Sequence, residues 1–150
     1  MAKLILATFA VVFLALAATS LAGDPDMLQD VCVADYNPPH THPRATEIMF
    51  VAEGTLDVGF VTTANKLFTR TVSKGEVFVF PRGLVHFQRN SGNTSALAIA
   101  AFNSQLPGTQ SIADTLFGAA PPLPSDTLAR AFQVDGGMVE SIKSKFPPKY

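Results

Sequence analysis

Between Glu47 and Phe102 the chain repeats one pattern, a short run rich in Val, Phe, Ile and Thr followed by a turn of Gly, Pro, Asn or Ser. The runs are Glu47 to Ala52, Thr55 to Val61, Lys66 to Val72, Val77 to Phe80, Leu84 to Arg89 and Ala96 to Phe102. Between them stand Glu53-Gly54, Thr62 to Asn65, Ser73-Lys74-Gly75, Pro81-Arg82-Gly83 and Ser91-Gly92-Asn93. β-Branched and aromatic residues suit a pleated surface, and turns this regular point to an antiparallel sandwich or barrel. Strand side chains alternate, so Leu56, Val58 and Phe60 share a core face while Asp57 and Gly59 fall on the other.

After Phe102 the texture changes. Gln110 to Phe117, Asp126 to Phe132 and Met138 to Phe146 carry helical spacing, with Ser125 and Asp135 placed as N-caps and Pro107, Pro121, Pro122, Pro124 and Pro147 as breakers. Val139, Ile142 and Phe146 make one apolar stripe on a helix too short to be stable alone, so it must pack on its own barrel or on a neighbouring subunit.

The first 22 residues read as an export signal: Lys3 supplies the charge, Leu4 to Ala18 is almost wholly apolar, and Ser20-Leu21-Ala22 offers a cleavage site. That run is shorter than the roughly 20 residues a membrane crossing needs, so no membrane span is expected. Residues 23–150 are the length of one domain. With 11 basic and 12 acidic residues and no basic run, the chain lacks the footprint of a nucleic-acid binder. Cys32 is the only cysteine, so in an exported chain its thiol has no partner within the same chain.

The segment NPPHTHPRATE, Asn37 to Glu47, holds two of the three histidines. His40 and His42, two apart in an extended segment, point the same way and can reach one cation. Glu47 sits at an odd offset, and Pro43 favours a break that lets its carboxylate join them. His86 opens a strand after a Pro-x-Gly turn. Three imidazoles and a carboxylate suit a catalytic or redox metal that keeps positions open, whereas a structural zinc site more often closes with cysteine. Such a centre stays net positive and favours small anions over neutral substrates. Phe78, Phe80 and Phe87 flank it as pocket lining or plain core; Arg70, Arg82 and Arg89 either draw anions or are solvated surface. Asn93-Thr94-Ser95 is a glycosylation sequon.

His40-x-His42-x4-Glu47-x6-Gly54 resembles the first cupin motif, and Gly75-x5-Pro81-x-Gly83-x2-His86-x3-Asn90 the second. More narrowly, NPPHTHPRATE, EGTLDVGFV, KGEVFVFPRGLVHFQ and MLQDVCVAD resemble the germin-like proteins of plants. The resemblance implies an all-β, cupin-type jelly-roll barrel with C-terminal helices. It also implies Mn(II) held by His40, His42, Glu47 and His86, and a homo-oligomer, a hexamer built as a trimer of dimers. The activities it implies are superoxide dismutation and, in the true germins, oxidation of oxalate to give hydrogen peroxide. The implied setting is the plant cell wall or apoplast, with a role in defence.

The chain departs from the family between Cys32 and NPPHTH. There the second cysteine, several early strands and a glycine-rich approach are missing, and Ala34 stands where a glycine usually opens the first motif. Part of the N-terminal strand set is therefore expected to be absent, leaving barrel edges unpaired. Asn37 matches an asparagine near the oxalate site of true germins, but its companion lies in the missing stretch, so oxalate oxidation is not expected. The rival readings are a non-enzymatic wall, storage or receptor-like protein stapled by its metal, and an inactive shortened product.

Overall fold

The computed structural model describes residues 30–33 and 36–147. The export signal at 1–22 and Ala34 lie outside them. Nine strands are seen among the described residues: β1 (Asp30–Val33), β2 (Tyr36–Thr41), β3 (Glu47–Glu53), β4 (Thr55–Val61), β5 (Leu67–Ser73), β6 (Val77–Phe80), β7 (Val85–Asn90), β8 (Ala96–Phe102) and β9 (Gln110–Ser111). They form two antiparallel sheets, ordered β1-β8-β3-β6 and β5-β4-β7-β2-β9, the layered arrangement of a jelly-roll.

Period-two alternation builds the core from both sheets. On β3 and β8 every second residue is buried, which sends Met49, Val51, Ala96 and Ala98 inward. Leu56, Val58, Val72 and Phe80 meet them from β4, β5 and β6, with Phe60 packed alongside. Removing each large side chain from water contributes roughly 1.5–3 kcal/mol. Gly54 turns β3 into β4 at φ 78°, and a Cβ there would come within 2.8 Å of Ala96, so both the backbone angle and the close approach require glycine.

The other half of the alternation leaves an exposed apolar face. Ile48, Phe50, Val77, Val79, Leu97 and Ile99 lie on the outer side of the β1-β8-β3-β6 sheet, each between 36% and 47% exposed. Cross-strand partners Ile48 and Val79, Phe50 and Val77, and Phe50 and Ile99 make the patch continuous.

The helices are α1 (Ile112–Phe117), α2 (Ser125–Phe132) and α3 (Gly136–Lys143). Asp135 caps α3 as expected, its carboxylate accepting from the Met138 N–H at 3.0 Å. Ser125 does not cap α2. It is the first helical residue, Pro124 stands at the cap position, and the Ser125 hydroxyl instead bonds to Glu140 and accepts from Lys143 Nζ at 2.7 Å, tying α2 to α3. The stripe read from the sequence packs within the chain: Val139 is fully buried, and Phe146 stacks on Phe117 with centroids 6.3 Å apart. Among the described residues no helix is long and apolar enough to cross a membrane.

Candidate metal centre

β2 and β7 lie side by side with His40 directly opposite His86. Their ring centroids are 4.2 Å apart, and His42 follows just past the end of β2. Glu47 arrives from the other sheet. After Thr41 the chain turns through Pro43 and Arg44 and crosses to β3, so the carboxylate faces the imidazoles across the barrel. The break expected at Pro43 is present, and a change of sheet cancels the odd sequence offset.

Register places a phenylalanine on either side of Glu47, Phe80 on β6 and Phe102 on β8. Each packs on a histidine: Phe80 stacks on His86 at 4.5 Å, and Phe102 meets His42 edge-on at 4.6 Å. Phe78 touches Phe80, whereas Phe87 lines a groove of 740 Å³ with Tyr36, Arg89 and Thr69. Phe102 carries no motif signal. It lies far from the histidines in sequence, and pairing alone brings it in.

Each histidine is oriented by a backbone carbonyl. Nδ1 donates to Pro38 O from His40, to Gly108 O from His42 and to Leu84 O from His86, all at 2.8 Å. A carbonyl only accepts, so each Nδ1 carries the proton and each Nε2 is left to face the centre. One ligand atom from each of His40, His42, Glu47 and His86 falls within 4.8 Å of the others, and all four residues are buried. Nε2 of His42 and of His86 both lie 3.1 Å from Glu47 Oε2. Neutral imidazoles would there set lone pair against lone pair, an arrangement that demands a cation or extra protons between them. The donor set therefore fits a metal ion.

Electrostatics agree. With the metal absent, burial pushes the Glu47 carboxyl up, but extra protons on Nε2 of His42 and His86 would supply hydrogen bonds and charge that outweigh it and hold it at about 2. Burial lowers His40, the neighbouring imidazoles add to this, and the Pro38 carbonyl opposes it. The centre thus combines a permanent carboxylate with an imidazole that resists protonation.

Arg44 and Gly108 also serve the site. Arg44 donates through Nε to Leu106 O at 2.6 Å and through its backbone N–H to Pro107 O at 3.1 Å. This pins the loop whose Gly108 carbonyl orients His42. Gly108 has φ 66°, and a Cβ there would meet the Arg44 guanidinium at 2.7 Å. Asn37 donates through Nδ2 to Gln88 Oε1 at 2.5 Å, and Gln88 Nε2 in turn lies 3.5 Å from Glu47 Oε1. An irregularity between Asn37 and His40 shifts the register there, so an odd spacing still serves one face. Arg70 and Arg89 are tied to Glu76 and Asp57 at the surface, and Arg82 donates to Pro43 O at 3.1 Å. Asn93 is exposed in the turn between β7 and β8. Cys32 lies in β1, opposite Leu97.

The family model described as "Cupin" matches residues 35–140. The chain is a germin-like protein of the cupin family. Germin-like protein 3-2 of Oryza sativa subsp. japonica is 67% identical over 222 residues, covering all of both chains. Germin-like protein 1-3 of the same rice is 61% identical over 223 residues, again end to end. Since this germin-like chain has 150 residues, each relative carries an internal block with no counterpart here. A solved oxalate oxidase in complex with glycolate is 50% identical with a TM-score of 0.74, covering 78% of this chain and 60% of its own.

Proposed function

We propose that this germin-like protein is a secreted metalloprotein that holds one manganese ion on His40, His42, Glu47 and His86 and acts on a small anion, superoxide first. The observation that carries the reading is the anchoring of all three Nδ1 atoms on carbonyls, which commits three Nε2 atoms and one carboxylate to a single point. Manganese there supplies the one-electron oxidation and reduction by which two superoxide ions and two protons become oxygen and hydrogen peroxide. The chain itself orients the ligands, walls the centre with Phe80 and Phe102, and presents the Asn37 amide. Oxalate oxidation is not expected, because the companion of Asn37 falls in the missing block.

A second reading, a metal that only staples the barrel, is favoured by one observation. Neither the 740 Å³ groove beside Tyr36 and Arg89 nor the 510 Å³ hollow beside α1 is lined by any of the four ligand residues. Metal content and mass of the mature chain, measured on one size-exclusion peak and followed by superoxide assay with and without chelator, separate the two. About one manganese per chain with chelator-sensitive turnover supports the first; metal that raises the unfolding temperature without turnover supports the second. A folded chain that binds no metal overturns both.

The same reading gives one domain from residue 23 after removal of residues 1–22, a glycan on Asn93, and an assembly of several copies. The exposed apolar face around Phe50 supports the assembly, since a monomer rarely leaves so continuous a patch in water. Phe50→Asp is expected to shift the size-exclusion peak to a smaller species. A buried unpaired carboxylate costs well over the ~1.4 kcal/mol that weakens association tenfold. An unchanged elution volume would remove this face from any interface.

A further inference from the structure

The 740 Å³ groove beside Tyr36 and Arg89 is lined by none of the four ligand residues. It lies on the outer face of β5, β4, β7 and β2, on the other sheet from the apolar patch around Phe50. Register builds it as two rows. Thr71, Asp57, Arg89 and Tyr36 stand opposite one another across four strands, and Thr69, Gly59 and Phe87 make the row beside them. The first row is polar and already set, with Asp57 accepting from the Thr71 hydroxyl and from Arg89 Nη2, each at 2.8 Å. The second is apolar. A Cβ on Gly59 would come within 2.9 Å of the Thr69 methyl and 3.1 Å of the Phe87 ring, so the missing side chain lets these two close over β4 as a smooth floor. Tyr36, 56% exposed, adds a second aromatic surface at one end.

We infer that this groove is a binding site for a neutral oligosaccharide. A sugar ring has apolar C–H faces and an edge of hydroxyls that both donate and accept. It therefore matches an aromatic floor beside an acceptor and a donor held together, Asp57 and Arg89. Charge points to a neutral ligand, because Arg70 and Arg89, the cations of the groove, are already paired with Glu76 at 2.6 Å and Asp57 at 2.8 Å. A peptide strand is a poorer match, since β4 and β7 are hydrogen-bonded on both sides and leave its backbone no free edge. Length points to several sugar units. Strands about 4.8 Å apart make the four-residue polar row ~14 Å long, more than one ring can cover.

The test is isothermal titration of the full mature chain with cellohexaose, xylohexaose and mannohexaose, with glucose and hexagalacturonate alongside, repeated for Tyr36→Ala and Asp57→Asn. At least one neutral hexamer is expected to bind, more tightly than glucose or hexagalacturonate. Each substitution is expected to weaken that binding about tenfold or more, the effect of losing one good contact. Tyr36 is exposed, so its truncation leaves the fold intact and decides the matter alone where Asp57→Asn does not fold. Both variants are expected to take up metal as the unaltered chain does, which separates a failure of the groove from a failure of the metal centre. A row that only ties strands together would lower the unfolding temperature of Asp57→Asn, and the unaltered protein would bind no sugar. Absence of binding to every neutral hexamer at millimolar concentration overturns the inference, as does binding that both variants leave unchanged. Preference for hexagalacturonate overturns it in favour of an anion held by the two arginines, and glucose bound as tightly as the hexamers overturns the oligosaccharide.

Discussion

His86→Ala is expected to yield a chain that no longer retains metal through gel filtration and whose metal-free form is markedly less stable. Losing an outer partner of a metal ligand costs ~10–100-fold in affinity, so losing a ligand should exceed about 100-fold. The stability effect has a separate cause. His86 is 2% exposed and stacks on Phe80 beneath the core, so truncation opens a cavity at the junction of the two sheets. Large-to-small changes at such positions cost about 2–5 kcal/mol. His86→Gln, which keeps most of the volume, should lose the metal with a smaller fall in the urea midpoint. Metal per chain and urea unfolding of both variants measure the two effects independently. Full metal retention in His86→Ala would mean that these four side chains are not the site.

Acid should strip the metal through the imidazoles before the carboxylate. Glu47 is held at about 2, so it remains an anion throughout the range in which histidines take up protons. Each Nε2 that gains a proton ceases to be a ligand. His40 is lowered by burial from its ordinary 6.5, so the site should stay loaded at neutral pH and empty at about pH 6 to 4, more steeply than a one-proton curve. Metal-free stability follows the same sign. The Glu47 carboxyl is lower in the folded chain than its ordinary 4.5, so its contribution is complete above 4.5 and is lost as the pH falls towards 2. His40 resists a proton that the unfolded chain accepts, which again makes acid destabilising below 6.5. Dialysis at stepped pH with metal analysis, paired with urea midpoints of the metal-free chain, checks both curves. Retention of metal at pH 4 would mean that the imidazoles do not hold it.

Short-range regularities were legible from the residues. Thr55–Val61, Val77–Phe80 and Ala96–Phe102 begin and end where alternation and turn residues place them, because side-chain period and turn chemistry act over a few positions. The helical reading from Gln110 was less complete. Gln110–Ser111 pairs with β2 as β9, a long-range contact that helical spacing cannot reveal, and α1 starts only at Ile112. Ser125 illustrates the same limit, since its hydroxyl is claimed by residues of another helix.

The sequence by itself determined which side chains could make a metal centre, because a His-x-His pair, a nearby carboxylate and one further histidine are chemistry written in residue types. Only the tertiary structure decided how they meet. Glu47 joins by crossing to the facing sheet, and Phe102, Gly108 and Gln88 join through strand pairing and a loop pinned by Arg44. Gln88 could have been suspected from its i+2 relation to His86, but its partner Glu47 could not. Alternation says which face a residue takes, and only sheet register and the facing of two sheets say what stands opposite it.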